Sequence, residues 1–259
     1  MTFAPEWLAL RESADAQARS TELVETLRET LVNRNPLTIR DLGCGTGSMG
    51  RWLAGRLGGV QHWVLHDRDP RLLGLAEAGM SALENVTAET REGDLTSLRA
   101  ADLEGSDLVT CSALLDLLTA EEMNALAAAC VEAHVPALFT LSVAGRIELD
   151  PAEPLDAAFQ DAFNAHQRRV VDGRRLLGPD APAVAEEAFA ALGASVRTAR
   201  SPWRLHAGAL RSEWLKGWVG AAVEQEPALA SEASEYLRRR STASAVVHHV
   251  DLLALPGAV

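Results

Sequence analysis

The chain is poor in positive charge. Of its 259 residues, 24 are Lys or Arg and 36 are Asp or Glu, which gives a formal net charge of -12 at pH 7. Because nucleic acids and anionic membranes are bound largely through cations that neutralise phosphates, this deficit argues against either as the main partner. Lys216 is the single lysine, a compositional bias that weakens the claim that any one arginine was selected to bind an anion.

Cysteines and long apolar runs are also scarce. Cys44, Cys111 and Cys130 are odd in number and widely spaced, with no CxxC pair, so we expect neither a disulfide framework nor a metal site. No apolar run approaches the roughly 20 residues that span a bilayer, and the first ten residues lack the pattern of a secretory signal. We therefore expect a cytoplasmic protein without membrane contact.

Short apolar strands alternate with helical patterns over residues 37–143. We expect strands at 37–42, 62–65, 86–90, 107–111 and 137–143, with helices at 48–57, from Pro70 onward and at 120–133. Alternation at this spacing is typical of βαβ units. It predicts an α/β fold, a Rossmann-like doubly wound sheet of mostly parallel strands.

The remaining segments are mainly helical in pattern and surround this core. We predict one domain over 1–259, with an N-terminal helical cap at 1–36, a ligand-binding core at 37–143, and helical insertions at 144–181 and 203–243 on the substrate side. Two later strands are expected at 194–199 and 245–255. No internal repeat or flexible linker separates these parts.

The strongest motif is Asp41-Leu-Gly-Cys-Gly-Thr-Gly47, which follows a strand and precedes a helix. Glycines there permit positive φ and a close approach of a ligand to the backbone. Taken alone, the motif also fits a tight turn. Asp67, however, ends the second strand about 20 residues later, where an acidic residue can bind ribose hydroxyls. Asp94 ends the third strand, so three such features meet where the strand ends form a crevice.

These residues resemble the class I S-adenosylmethionine-dependent methyltransferases over residues 37–143. The glycine loop is similar to the first motif of that family, Asp67-Arg-Asp-Pro70 to its second-strand motif, and Gly93-Asp94-Leu95 to its third-strand motif. The resemblance implies a seven-stranded sheet with an antiparallel last strand, and S-adenosylmethionine as cofactor. An NAD-linked dehydrogenase is the main competitor for this fold, but a GxGxxG pattern begun at Gly43 is absent, because position 48 is Ser.

The resemblance also implies roles for individual residues. Gly43, Gly45 and Gly47 would contact the methionine portion of the cofactor, and Asp41 would help to hold its amino group. Asp67 would bind the ribose, and Asp94 would accept from the adenine amino group. The full expected set of cofactor-binding residues is Asp41, Gly43, Cys44, Gly45, Thr46, Gly47, Asp67, Arg68, Asp94, Leu95 and Ser112.

The methyl acceptor is less clearly indicated. The segment Thr110-Cys-Ser-Ala-Leu-Leu-Asp116 lacks the Asn/Asp-Pro-Pro-aromatic motif found in many enzymes that methylate nucleobases or protein amides. Together with the net acidity, this favours an oxygen or nitrogen of a small-molecule acceptor. Two alternatives stay open: an RNA-modifying methyltransferase, and a non-catalytic module that binds the cofactor. Nothing in the pattern indicates an oligomeric state.

Two residues are weak candidates for a general base. Asp116 follows the fourth strand, where it could accept a proton, although a carboxylate at a helix start or on the surface is the preferred interpretation. His166 has the side-chain type whose unperturbed pKa lies nearest neutrality, but it also fits an ordinary polar helix position.

Three residues are weak candidates for contacts to the acceptor. Arg168 and Arg169 could clamp a carboxylate or phosphate, or could form a solvated helix face. Trp203 could wall an apolar pocket. The same pocket role is open to Trp214 and Trp218, for which core packing is the preferred interpretation.

Overall fold

The computed structural model describes residues 3–257, so the outermost two residues at each end of the predicted domain lie outside it. Ten strands are present among the described residues: β1 Leu37–Leu42, β2 Gln61–Asp67, β3 Val86–Glu92, β4 Leu108–Ser112, β5 Ala137–Asp150, β6 Val170–Val171, β7 Arg174–Arg175, β8 Ser195–Arg200, β9 Trp203–Leu205 and β10 Ser244–Leu255.

The same part of the chain contains ten α-helices: α1 Pro5–Ala18, α2 Thr21–Leu31, α3 Ser48–Leu57, α4 Pro70–Ser81, α5 Ala100–Leu103, α6 Ala120–Glu132, α7 Leu155–Gln167, α8 Ala181–Ala191, α9 Ala209–Gln225 and α10 Ala230–Arg240. Local signals explain several boundaries. Thr119 and Glu122 form a reciprocal capping box at the start of α6, and Pro70 occupies the first turn of α4.

The main sheet has the strand order β3-β2-β1-β4-β5-β10-β8, with β9 paired to β10. Strands β1 to β5 pair in parallel, and β10 runs antiparallel to β5 and to β8. Helices α2, α3 and α4 pack on one face, and α6 and α8 on the other. This arrangement confirms the predicted doubly wound sheet with its antiparallel last strand.

The structure extends the predicted sheet beyond residue 143. Strand β5 continues to Asp150 instead of ending near 143, and its outer half pairs with the start of β10. Residues 144–150 and 203–205 are therefore strand, although both lie in segments predicted as helical insertions. Pro227 begins a turn that separates α9 from α10 within the helical insertion predicted at 203–243.

The outer half of β5 has its free edge covered by side chains of α7. Gln160 Oε1 accepts from the backbone N–H of Ile147 at 2.7 Å, and Asn164 Nδ2 donates to the carbonyl of Gly145 at 2.7 Å. These amides take the place of a neighbouring strand, because an unpaired backbone group in a partly buried position is costly. Helices α7, α9 and α10 thereby form a third apolar cluster with this extension.

Candidate functional site

One cleft lies at the carboxyl ends of β1 to β4, under α1. Ten of the eleven predicted cofactor-binding residues line it: Asp41, Gly43, Cys44, Gly45, Thr46, Asp67, Arg68, Asp94, Leu95 and Ser112. The parallel order of the strands explains this, since their carboxyl ends meet at one edge of the sheet. Gly47 is the exception among the eleven, because it is the cap residue before α3 and faces Ala76 of α4.

The three loop glycines all have positive φ, at +63°, +54° and +83° for Gly43, Gly45 and Gly47. A Cβ at Gly43 would lie 2.6 Å from Leu114 Cδ2, and one at Gly47 would lie 3.2 Å from the Cα of Ala76. The backbone conformation of the loop therefore requires these glycines, whether or not a ligand approaches it. It lets the loop fold tightly between α4 and the end of β4.

Asp41 is the most deeply buried carboxylate in the cleft. Its Oδ1 accepts from Thr110 Oγ1 at 2.7 Å, while Oδ2 is buried and has no hydrogen-bond partner among the described residues. Burial raises the pKa of this carboxyl to about 7, against the opposing effects of Thr110 and of the positive charge of Arg19. A buried acceptor without a donor is costly, so Asp41 is arranged to receive a donor from a bound molecule.

Asp67 has a structural task besides the predicted one. Its Oδ2 accepts from the backbone N–H of Gly45 at 2.9 Å, and its Oδ1 accepts from that of Asp69 at 3.0 Å. The carboxylate thus ties the glycine loop to the end of β2. Since each carboxylate oxygen can accept more than one hydrogen bond, both oxygens can still receive donors from a ligand.

The end of β3 forms the opposite wall. Asp94 caps the following turn by accepting from the backbone N–H of Thr96 at 2.9 Å, and this hydrogen bond lowers its pKa. Leu95 is half-buried beside it, and Arg68 is exposed across the cleft. These three residues surround a space at the place where the resemblance expects adenine.

Three charged residues of the first helical segment were missed at the sequence level. Arg11 and Asp15 line the cleft from α1. Buried Arg19, directly after α1, donates from Nη2 to Ser48 Oγ at 3.2 Å and to Ser112 Oγ at 3.1 Å. A signal was available, because positions 11, 15 and 19 are four residues apart and share a helix face.

Asp116 lies in a short turn between two leucines that line the cleft, Leu114 and Leu117. Its side chain is partly buried and is not itself part of the cleft lining. Burial raises its pKa to about 6, while the charges of Arg11 and Arg169 oppose that rise. A carboxyl with this pKa can accept a proton near neutral pH.

The other base candidate, His166, does not reach the cleft. Its Nε2 is 3.3 Å from Glu224 Oε2, and its Nδ1 is 3.2 Å from Arg169 Nη1. Burial and the neighbouring Arg169 lower its pKa. Both ring nitrogens are thus occupied between α7 and α9, and the expectation that His166 acts as a base at the cleft is wrong.

The three predicted acceptor contacts also need correction. Arg168 is held by Asp180 through two hydrogen bonds of 2.6 Å, and Arg169 contacts His166, so neither lines the cleft. Trp203 is buried behind the cleft and donates from Nε1 to Asp15. Trp214 and Trp218 stack in the apolar cluster with ring centroids 5.6 Å apart, as the core interpretation predicts.

The described residues hold no cluster of His, Cys, Asp and Glu that could bind a metal ion. Within residues 3–257, no helix combines the length and apolar character needed to cross a membrane. The three cysteines are unpaired and buried.

Comparison with known proteins gives a family match and a shared fold. Residues 39–136 match the family described as methyltransferase domain. No curated protein sequence matches the chain. The YcgJ protein of Bacillus subtilis is similar in structure, with a TM-score of 0.55 at 13% identity over 93% of this chain and 100% of that one.

Two further solved structures are similar. The cyclopropane synthase MmaA2 of Mycobacterium tuberculosis has a TM-score of 0.51 at 13% identity, over 98% of this chain and 99% of that one. A SAM-dependent methyltransferase from Thiobacillus denitrificans in complex with S-adenosyl-L-homocysteine has a TM-score of 0.49 at 19% identity, over 98% of this chain and 100% of that one. At such identities, the likeness to YcgJ and MmaA2 shows the fold alone.

Proposed function

We propose that this chain, whose residues 39–136 match the family described as methyltransferase domain, is an S-adenosylmethionine-dependent methyltransferase that methylates an oxygen or nitrogen of a small-molecule acceptor. When bound, S-adenosylmethionine supplies a methyl group on a positively charged sulfur. The chain's own residues hold the two reactants, exclude water and accept a proton. Three unpaired cysteines suit a reducing compartment, so we assign the reaction to the cytoplasm.

The observation that carries the cofactor assignment is Asp41 Oδ2. This buried oxygen has no protein donor among the described residues, yet it belongs to a residue that lines the cleft. The ammonium group of a methionine moiety is a donor of matching charge. Asp67 offers acceptors suited to ribose hydroxyls, and the polar end of β3 at Asp94 suits the edge of an adenine ring.

The roof of the cleft supports a small acceptor. Phe3, Leu8, Arg11 and Asp15 line it from the N-terminal segment and α1. Glu12 secures this helix to Arg51 through hydrogen bonds of 2.9 and 2.7 Å. A folded RNA would have to displace α1, and the net charge of -12 disfavours RNA in any case. A small molecule fits beneath the helix without such a change, and the closed roof would keep water out.

Asp116 is our proposed general base. An acceptor hydroxyl loses its proton as it becomes methylated, and the Asp116 carboxyl has the protonation behaviour to receive it near neutral pH. Amine acceptors with a free lone pair depend less on such a base. Alignment of the acceptor, rather than proton transfer, then supplies most of the rate enhancement.

Calorimetric titration tests the cofactor, with NADH as the control. We expect micromolar binding of S-adenosylmethionine and S-adenosylhomocysteine, and no binding of NADH. Methyl transfer from isotopically labelled S-adenosylmethionine is then measured with a panel of phenols, carboxylic acids and amines, and with bulk RNA. Transfer to RNA alone, or cofactor binding without transfer to any acceptor, would contradict the small-molecule proposal.

The role of Asp116 is tested with Asp116→Asn on the best acceptor of that panel. We expect kcat to fall about 100-fold for a hydroxyl acceptor, with the affinity for S-adenosylhomocysteine unchanged. His166→Gln is the matched control, because His166 was the other candidate base and does not reach the cleft. An equal loss of kcat in both variants would exclude Asp116 as the specific base.

A further inference from the structure

Arg11 of α1 is held in one orientation beside the cleft. Its Nε donates to Asp15 Oδ2 at 3.0 Å, and its guanidinium lies 5.0 Å from the centroid of the Trp203 ring. The side chain is only 13% exposed. A guanidinium packed on an aromatic face loses much of its rotational freedom, so Arg11 is fixed before any ligand arrives.

Asp15 and Trp203 form the support for this arginine. The second carboxylate oxygen of Asp15, Oδ1, accepts from Trp203 Nε1 at 3.0 Å. Both oxygens of the buried Asp15 are thus satisfied, one by each partner. A carboxylate that bonds the indole and the guanidinium together keeps the plane of Arg11 against the ring of Trp203.

The terminal nitrogens of Arg11 are not used by this support. Across the described residues, Nη1 and Nη2 make no hydrogen bond, while Arg11 lines the cleft. Two parallel N–H donors on a fixed plane match the two oxygens of a carboxylate or phosphate. The arrangement has the form of an oxyanion receptor at the roof of the cleft.

Two arginines on this helix face, Arg11 and Arg19, have different surroundings. The positive charge of Arg19 opposes the rise in the pKa of Asp41. Arg19 also donates hydrogen bonds to Ser48 and Ser112 beside the glycine loop. Arg11 packs instead on Trp203, whose ring centroid lies 5.2 Å from that of buried His249. Arg19 therefore belongs to the end that would hold methionine, and Arg11 to the end where the acceptor would lie.

We propose that Arg11, positioned by Asp15 and Trp203, binds an oxyanion of the methyl acceptor, so that the acceptor is a small acid with an apolar body. This inference rests on the proposed methyltransferase function. The apolar part would contact Leu8, Leu114 and Leu117, which line the same cleft. The acid group would bind Arg11 and present the nucleophile towards Asp116.

The test uses the full chain saturated with S-adenosylhomocysteine, titrated with benzoate, with its neutral isostere benzamide, and with inorganic phosphate. The indole N–H resonance of Trp203 is followed by NMR and is assigned among the six tryptophans by Trp203→Phe. We expect benzoate or phosphate, and not benzamide, to shift this resonance. In Arg11→Gln the affinity for the anion should fall at least about tenfold, the loss of a charge-assisted bidentate contact.

Arg28→Gln is the matched control, because it removes the same charge from an exposed position on the neighbouring α2. Its anion affinity should stay within about twofold of the wild type. Should Arg11→Gln fail to fold, Arg11→Lys keeps a cation beside Asp15 but lacks the planar pair of donors. We expect it to fold and to lose most of the anion affinity.

Each other outcome has a definite meaning. If Arg11→Gln weakens binding of S-adenosylhomocysteine but not of 5′-methylthioadenosine, which has no carboxylate, then Arg11 holds the cofactor and the inference is wrong. Equal responses to benzoate and benzamide, or no response to any anion, would also overturn it. If the wild type binds no S-adenosylhomocysteine, the proposed function fails first, and the two failures are thereby distinguished.

Discussion

The proposed cofactor end of the cleft, around Asp41 and Asp67, and its proposed acceptor end, around Arg11 and Asp15, draw their polar side chains from very different distances along the chain. At the cofactor end, Asp41 and Asp67 lie at the ends of consecutive strands, and the loop between β1 and α3 lines the cleft with residues 43–46. At the acceptor end, Asp15 and Trp203 are 188 residues apart in sequence and hydrogen-bond each other directly. One end is a local motif repeated along a sheet edge, and the other is an assembly of distant elements.

The difference shows how one fold can keep a reaction and change its substrate. Strand ends, glycines and acidic residues of the cofactor end are constrained by backbone geometry, so they recur as a pattern. The acceptor end depends on how α1 and the extended β5–β10 pair pack together, which short insertions can alter. Substitutions at the cofactor end should therefore change cofactor affinity, and substitutions at the acceptor end should change stability or acceptor selectivity instead.

Asp41→Asn should have the largest effect, a loss of cofactor affinity without a loss of stability. The amide can keep the contact with Thr110, but it then presents N–H donors towards the cofactor's ammonium group. We expect the affinity for S-adenosylhomocysteine to fall about 100-fold by calorimetry, because one partner of a buried charge pair is lost. The melting temperature should be unchanged or higher, since a buried ionised carboxylate is removed.

Asp107→Asn is the control for that variant. It alters an aspartate at the opposite end of β4, where Asp107 accepts from the N–H of Thr38 at 2.8 Å. Its effect should be on stability alone. Equal losses of cofactor affinity in Asp41→Asn and Asp107→Asn would show that Asp41 acts through the fold rather than through the ligand.

The pH dependence of cofactor binding should be the next largest effect. The pKa of Asp41 is raised to about 7 in the free protein, and the ionised form accepts from an ammonium group. Affinity should fall as pH falls through 7 and level off above it. Between pH 7.5 and 5.5 we expect a loss of about 25-fold, because the ionised fraction falls tenfold per pH unit well below a pKa.

Isothermal titration across this pH range measures the effect, and proton release on binding is checked in two buffers of different ionisation enthalpy. His66 also lines the cleft, but burial lowers its pKa to about 4, so it stays neutral throughout. The Asp41→Asn profile should be flat. A wild-type profile that is equally flat would mean that Asp41 is not the titrating group that faces the ligand.

Gly43→Ala tests the backbone requirement of the cofactor end. The new Cβ would lie 2.6 Å from the flexible end of Leu114, which can move, but φ of +63° would remain unfavourable for alanine. We expect cofactor affinity to fall about tenfold through the strain of the loop. Gly74→Ala, within α4 and with no atom near its Cβ, should leave affinity unchanged and slightly raise the melting temperature.

The smallest expected effect lies on the acceptor side. Gln160→Ala removes the acceptor for the N–H of Ile147 at the free edge of β5. The free energy of unfolding should fall by about 1–2 kcal/mol in urea titrations, with no change in cofactor affinity. Asp161→Ala, exposed on the same helix, should change neither quantity. Loss of cofactor affinity in Gln160→Ala would show that the two ends are coupled.

The sequence predicted the strand and helix alternation of residues 37–143 and the grouping of Asp41, Asp67 and Asp94 at one edge. Those inferences depend on local properties: the alternation of apolar residues, the tolerance of glycine for positive φ, and the rule that parallel strand ends meet. The sequence did not predict that Asp67 also holds the glycine loop against the end of β2. An acidic residue at a strand end does not indicate which N–H groups lie near it.

The candidates that failed did so for one physical reason. His166 and Arg168 had suitable chemistry and stood in a segment of suitable position, but their partners, Glu224 and Asp180, come from other elements. Such contacts form only when the elements that carry the partners pack together. Arg11 and Asp15 were overlooked for the converse reason, since charged residues in an N-terminal helix usually face solvent.

The sequence by itself determined the α/β sheet, the glycine loop and the match of residues 39–136 to the family described as methyltransferase domain, because each follows from short-range pattern and backbone sterics. Only the tertiary structure decided which charged residues of α1 line the cleft, what His166 contacts, and how the free edge of β5 is covered. Those outcomes depend on contacts between segments far apart in the chain, whose geometry is set by the packing of the whole fold.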